Sequence, residues 1–345
     1  MNKTHLLSLL AALVLLVSCN KVDLSADQSD TLFVRADGAD MPVYIRGNAA
    51  SKKFILLVHG GPGGNGLEYR SGKYADQLEQ SYAMCYWDQR GQGMSHGHYA
   101  TSEVTVNRMA EDLHAVILAL RFRYGQEIQV YVLGHSWGGM VGTAYMVGPH
   151  ASEVQGWIEA DGAHDIPLLN IELVKMIRQI GVNQVNSGNN AAYWSELLAY
   201  ASTLDTNNIT LDQSGELNGK AFEAEANHSE VYPGQLAEGS LMRELFFSPT
   251  NLLISTIAGN ITADLLLAEA ESTSFTNRLG EIQTPTLLLW GKYDFVVPPA
   301  LGESALAKIG TSDKEMVLFE HSGHSPMDNE ADAFVAAIRD WIARH

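Results

Sequence analysis

The stretch Ile128-Gln129-Val130-Tyr131-Val132-Leu133-Gly134-His135-Ser136-Trp137-Gly138-Gly139 decides how this chain folds. An apolar run of strand length leads into a serine set between glycines, and an amphipathic helical pattern starts at Trp137. A serine on so sharp a strand-to-helix turn must hold a strained backbone conformation. Gly134 and Gly138 flank it where side chains would collide with neighbouring elements. The pattern is the Gly-x-Ser-x-Gly nucleophile elbow, in which the Ser136 hydroxyl projects into a cleft. A chain with 31 glycines meets that pattern by chance readily, so its meaning rests on what surrounds it.

Outward from this turn, apolar runs alternate with helical patterns, as in a mostly parallel sheet covered on both faces. Thr31 to Arg35 and Met41 to Gly47 read as an N-terminal hairpin, and Phe54 to Val58 and Ala83 to Trp87 as the next strands. A helix is expected over Val106 to Tyr124, a strand over 128–133, and another over Val154 to Ala160. Between Asp165 and Phe275 the strand signals fade into apolar and acidic helical segments. Thr286 to Trp290 and Met316 to Phe319 restore the strand rhythm, and Asp328 to Ala343 closes as an amphipathic helix. The expected division is therefore a core of residues 31–165 and 276–345, with 166–275 inserted as a helical cap.

Composition narrows the function classes. The net charge is -18, from 40 acidic and 22 basic residues, and no basic patch is present to neutralise phosphates, so nucleic acid is not expected as a partner. Lys3 and His5 precede the apolar run Leu6 to Val17, which is too short for an ordinary spanning helix of ~20 residues and reads as a signal peptide over residues 1–18. Leu16-Val17-Ser18-Cys19 resembles the bacterial lipoprotein processing site, with an ordinary signal peptide as the plainer reading. The expectation is a lipid on Cys19, a polar tether over 19–30, and a lipid-anchored, extracytoplasmic enzyme. Once Cys19 is lipidated, Cys85 is the one thiol left, so no structural disulfide is available.

Chemistry concentrates in three further segments. His59-Gly60-Gly61-Pro62-Gly63-Gly64 follows a strand directly and can present backbone N–H groups to a tetrahedral oxyanion, each such donor being worth ~2.7 to 4 kcal/mol. A phosphate cradle is the competing reading, but the Gly-Lys-Ser/Thr ending is missing. Trp87-Asp88-Gln89-Arg90-Gly91-Gln92-Gly93-Met94-Ser95 places an Asp and an Arg on a tight turn, where a charge-assisted hydrogen bond would pin the loop. Asp294 and His324 each follow a C-terminal strand, in the chain order Ser, acid, His. Asp294 would orient the His324 imidazole, and His324 would take the proton from Ser136. Asp161 is a reserve acid and His321 a reserve base. No metal site is indicated: His96-Gly97-His98 reads as an exposed loop, and no cofactor is implied.

Taken together, these motifs resemble the α/β-hydrolase fold, and His-Gly-Gly-Pro-Gly, Asp-Gln-Arg-Gly-x-Gly-x-Ser and Gly-x-Ser-Trp-Gly resemble the prolyl aminopeptidase (proline iminopeptidase) family in particular. The resemblance implies an oxyanion hole from the N–H groups of Gly61 and Trp137, with hydrolysis through an acyl-enzyme. It also implies that cap glutamates hold the substrate's free ammonium. Trp194-Ser195-Glu196 matches the first such position. At the second, Glu225-Ala226-Asn227-His228 has Ala where the family has Glu, which leaves Glu225 or Glu223 to stand in and puts strict proline specificity in question. The 14 acidic residues against 4 basic from Asp165 to Phe275 fit a cationic substrate group, although acidic helices also serve as solvated surface. The expected substrates are short peptides with N-terminal proline or another small residue. A carboxylesterase or amidase with uncharged acyl substrates is the alternative, and a non-catalytic ligand receptor is a third class. The sequence does not set the oligomeric state.

Overall fold

The computed structural model describes Val22, residues 24–235 and residues 262–345. The predicted signal peptide and Cys19 lie outside the described residues.

The N-terminal hairpin pairs β1 (Gln28–Ala36) with β2 (Ala39–Gly47), turning at Asp37 and Gly38. The expected tether thus ends earlier than Asp30. Asp30 sits in β1, where its carboxylate accepts hydrogen bonds from the Tyr124 hydroxyl at 2.9 Å and the Arg123 Nε at 3.1 Å, so these polar residues are held by partners instead of lying free. Then follow β3 (Lys53–Val58), α1 (Lys73–Glu79), β4 (Ala83–Trp87), the two-residue β5 (His96–Gly97), α2 (Val106–Tyr124), β6 (Gln129–His135), α3 (Trp137–Met146) and β7 (Gly156–Ala160). The sequence reading had no counterpart for α1. After the helical segment described below come β8 (Thr286–Gly291), α8 (Pro299–Lys308) and β9 (Lys314–Phe319). The single closing helix expected from the sequence is split into α9 (Pro326–Asn329) and α10 (Ala331–Ile342).

The strands form one sheet in the order β1-β2-β4-β3-β6-β7-β8-β9, with β5 paired to β2. From β4 through β9 every neighbouring pair is parallel. Alternation along the central strands divides their side chains between two cores. Phe54, Leu56 and Val58 face the core that also takes Met109, Leu113 and Ile117 of α2, while Ile55 and Leu57 face the one built with Phe334, Ile338 and Trp341 of α10. Burial of such a side chain stabilises the fold by about 1.5–3 kcal/mol, and a sheet apolar on both faces is buried only between two helical layers. These are the three layers of an α/β fold.

Between β7 and β8 the chain leaves the sheet to form α4 (Ile166–Ser187), α5 (Ala191–Ser202), α6 (Leu211–Ala226) and α7 (Ala263–Ala270). Local chemistry starts these helices. The Asp165 carboxylate accepts the Leu168 N–H at 2.9 Å, with Pro167 in the first turn of α4, and Thr210 and Gln213 close a capping box on α6. Asp165 and Ser274 form an isolated antiparallel bridge, so the two ends of the segment meet beside the sheet.

Candidate active site

Parallel strands deliver their following loops to one edge of the sheet, and the loops after β3, β6, β7, β8 and β9 carry the chemistry-bearing residues to it. Ser136 sits between β6 and α3 with φ 56° and ψ -122°, the strained turn expected of the elbow. Its surroundings show why glycine is required nearby. A Cβ on Gly138 would lie 1.9 Å from the Val58 carbonyl oxygen, and one on Gly134 2.4 Å from the Gly138 oxygen. Within the run from Tyr131 to Met140, Ser136 is the one residue that is not buried.

His324 and Asp294 are brought together: the His324 Nδ1 and the Asp294 Oδ2 are 3.0 Å apart, both side chains being buried. Asp294 also accepts the Val297 N–H at 2.7 Å on Oδ1. Burial holds the His324 imidazole low, at about 4, while the Glu225 carboxylate pulls it upward. A neutral imidazole fixed through Nδ1 leaves Nε2 free as a base, and Ser136 and His324 line the same cavity. His321, the reserve base, lies away from this cavity, stacked on Tyr232 with its backbone N–H given to Glu330.

The glycine loop is tied to the elbow by residues the sequence reading passed over. The Gly60 N–H donates to the Tyr69 hydroxyl at 2.8 Å, Tyr69 meets the His135 Nδ1 at 2.6 Å, and the His135 Nε2 meets the His324 carbonyl at 2.7 Å. Each link is satisfied with Tyr69 donating to His135, and His135 donating to His324. Burial, with the His324 ring next, holds His135 at about 3, so it stays neutral in this relay. A second tie runs through Gln89, whose Nε2 donates to the His59 carbonyl at 2.8 Å and whose Oε1 accepts the Trp137 indole N–H at 2.9 Å. Gly61 and Trp137 border the same cavity as Ser136. As the first residue of α3, Trp137 has no intrahelical acceptor for its own backbone N–H.

Asp88 and Arg90 hold the loop as expected, but through other partners than each other. Asp88 accepts the N–H groups of Gly66 at 2.8 Å and Met94 at 2.9 Å. Arg90, fully buried, makes a two-pronged pair with Asp112 of α2 at 2.7 and 2.8 Å.

Above this edge, two connected cavities meet at Ser136. The larger, about 640 Å³, reaches Tyr69, Asn218, Phe222, His324 and two acids outside the helical segment, Glu68 and Asp328 of α9. The smaller, about 200 Å³, is bordered by Gly61, Trp137, Ile166, Leu169, Ser214 and Glu271. Burial pushes Asp328 up to about 6 and raises Glu68 and Glu271; a hydrogen bond with Ser214 opposes the rise at Glu271.

The expected ammonium-binding glutamates are elsewhere. Glu196 is exposed on α5 and Glu223 is exposed on α6, and neither lines either of these two cavities. Glu225 points down from α6 into the loops beneath, where Oε1 accepts the Phe295 and Val296 N–H groups at 3.0 and 3.4 Å and Oε2 accepts the His324 N–H at 3.1 Å. Both oxygens are taken up by backbone donors, so Glu225 braces the loops of Asp294 and His324 and is not available to a substrate amine. Glu271 was missed because its acidity reads like any other on an acidic helix; only the fold shows it closing the cavity wall.

One group of side chains could hold a metal ion among the described residues: His114, His150 and Glu153, with ligand atoms within 4.8 Å of one another. It lies outside the cavities, and both imidazoles already place a nitrogen 3.0 Å from the Glu153 carboxylate, which joins α2 to the loop after α3. His96 is exposed, 3.9 Å from Asp40.

The family model of the alpha/beta hydrolase fold matches residues 53–331, and the chain belongs to that family, as a serine hydrolase. It is similar to the proline iminopeptidase of Lactobacillus helveticus, 25% identical over 310 residues covering 87% of this chain and 93% of the relative. It is also similar to the proline iminopeptidase of Saccharolobus solfataricus, 25% identical over 85% of each chain. Among solved structures, the proline iminopeptidase of Mycobacterium smegmatis superposes with a TM-score of 0.61 at 17% identity, covering 92% of this chain and 98% of that one. At that identity the likeness is one of fold.

Proposed function

We propose that the protein is an aminopeptidase that releases N-terminal proline or another small residue from short peptides. Ser136 is the nucleophile, His324 the general base and acid, and Asp294 the residue that orients the imidazole. The Ser136 Oγ attacks the scissile carbonyl carbon as its proton passes to the His324 Nε2. The N–H groups of Gly61 and Trp137 receive the oxyanion. The C–N bond breaks as His324 returns the proton to the leaving amine, and water then attacks the acyl-enzyme with the same imidazole as base. A lipid on Cys19 would hold the enzyme at a membrane outside the cytoplasm.

The observation that carries this reading is Glu271 on the wall of the smaller cavity. That cavity is bordered by Gly61, Trp137 and Ser136, which supports placing the acyl half of a substrate there, and it is small, largely apolar and, among the described residues, bordered by one carboxylate. An ammonium arriving there would meet a partly buried opposite charge, and its arrival would draw the raised Glu271 back to the ionised form. The open, larger cavity then takes the leaving peptide. The relatives named proline iminopeptidase support the same reading at family level. A carboxylesterase is the second reading, favoured by the apolar lining and by the displacement of Glu196 and Glu225 from the site.

A matched substrate set separates them: prolyl-β-naphthylamide, its N-acetylated form, and a short-chain p-nitrophenyl ester. An aminopeptidase cleaves the free amine and spares the acetylated form, and Glu271→Gln raises KM for the free amine while leaving the ester nearly unchanged. Cleavage of the ester with neither amide turned over would establish the esterase.

A further inference from the structure

Asp161 is a buried acid that the proposed chemistry leaves unused. It follows β7 in a left-handed conformation, φ 47°, and is fully buried. Its Oδ1 accepts the Gly291 N–H at 2.9 Å. Its Oδ2 has no donor, and its carboxyl lies beside that of Asp294. Asp161, Asp294 and Glu225 thus lie together, and Asp294 and Glu225 also reach His324.

Three ionised carboxylates in so dry a place would repel one another strongly, so at least one proton must be held among them. Its position follows by elimination. Asp294 has a donor on each oxygen, from Val297 and His324. Glu225 has backbone donors on both of its own. The Asp161 Oδ2 alone lacks one.

We infer that Asp161 is a neutral carboxylic acid whose Oδ2 proton is donated to Asp294, making it the positioning residue for the acid of the triad. Burial first, and then the charge of Asp294, hold its carboxyl well above the usual range. With this donor in place Asp294 is hydrogen-bonded from three sides and cannot rotate away from His324. The added donor also moderates the basicity of Asp294, and so the affinity of the imidazole for its proton. Asp161 is therefore not a second acid competing for the imidazole but the group that fixes the first. This assignment rests on the roles proposed for Ser136, His324 and Asp294.

The test compares Asp161→Asn with Asp161→Ala in the full chain, reading kcat/KM against pH on the p-nitrophenyl ester or the prolyl amide, whichever the wild type turns over. An Asn copies the neutral acid: its Nδ2 donates to Asp294 and its Oδ1 still accepts from Gly291. Asp161→Asn should therefore stay within about threefold of wild type with its acidic limb unmoved, while Asp161→Ala loses roughly tenfold or more as Asp294 loses a donor. Were Asp161 ionised, the Asn variant would delete a buried negative charge and move the acidic limb down by roughly one pH unit or more, which would overturn the inference. Asp161→Asn alone decides the matter if the Ala variant does not fold. Ser136→Ala, run alongside, tests the underlying reading separately: activity surviving that change defeats the triad assignment whatever Asp161 does.

Discussion

Replacing Gln89 with Met tests whether the glycine loop and the elbow are held as one unit. The Gln89 amide is fully buried and bridges the two: it donates to the His59 carbonyl at 2.8 Å and accepts the Trp137 indole N–H at 2.9 Å. Met fills a similar volume, so cavity formation adds little, and the backbone N–H of residue 89 can still reach the His59 Nε2 at 3.3 Å. What remains is one buried carbonyl and one buried indole N–H without partners. At about 1–3 kcal/mol each, the loss is about 2–6 kcal/mol of stability. Urea unfolding followed by tryptophan fluorescence measures it as a lower midpoint at unchanged slope. The same change frees the loop carrying Gly61 to shift against Trp137, so kcat should fall well beyond any change in KM. A stability within 1 kcal/mol of wild type together with kcat within about twofold would refute the reasoning, since two orphaned groups cannot be that cheap.

Asp112→Ala leaves the buried Arg90 guanidinium without its counter-charge and should cost about 3–5 kcal/mol; a loss below 1 kcal/mol in urea unfolding would show that the carbonyls of Ala36 and Asp37 suffice for it. Gly138→Ala drives a Cβ into the Val58 carbonyl, so the elbow must shift, and ester hydrolysis should drop by orders of magnitude even in soluble, folded protein. Acid pH tests His59, which burial holds at about 4 and which accepts the Gln89 N–H only when neutral. Its folded-state value is depressed, so its stabilisation is complete above the unfolded value near 6.5 and fades as pH falls from there toward 4, by about 2 kcal/mol at pH 5. Comparing urea midpoints at pH 7.5 and 5 for wild type and His59→Gln should give the variant the smaller fall. Equal falls would reject this role for His59.

The parts of the site that were legible in the sequence are those set by the chain's immediate neighbourhood. The turn at Ser136, the loop at Gly61 and the positions of Asp294 and His324 each follow a strand directly, so finding the strand also places the residue at the sheet's edge. The positions of the cap glutamates were not legible, for the complementary reason. Glu196, Glu223, Glu225 and Glu271 all lie on or beside helices of similar acidity, and which one reaches a cavity depends on how each helix is rotated against the core, which the local pattern does not encode. Asp161 was noticed as a carboxylate after a strand, but its place behind Asp294 depends on β7 and β8 being neighbours. Tyr69 and His135 are distant in sequence and meet only across the fold. Asp88 and Arg90, read as a loop-pinning pair from their spacing, bind different partners, Asp88 the Gly66 and Met94 amides and Arg90 the Asp112 carboxylate.

Glu225 gives the helical segment above the sheet a second allegiance. The segment's ends meet at Asp165 and Ser274, an arrangement that invites its exchange for another of different shape and selectivity. Yet the carboxylate it lowers onto Phe295, Val296 and His324 is part of what keeps the reactive loops in register. Any replacement would have to bring an equivalent acid to the same three amides. Altering what the cavities accept is therefore a matter of changing side chains on the inner faces of α4, α6 and α7 while Glu225 stays where it is.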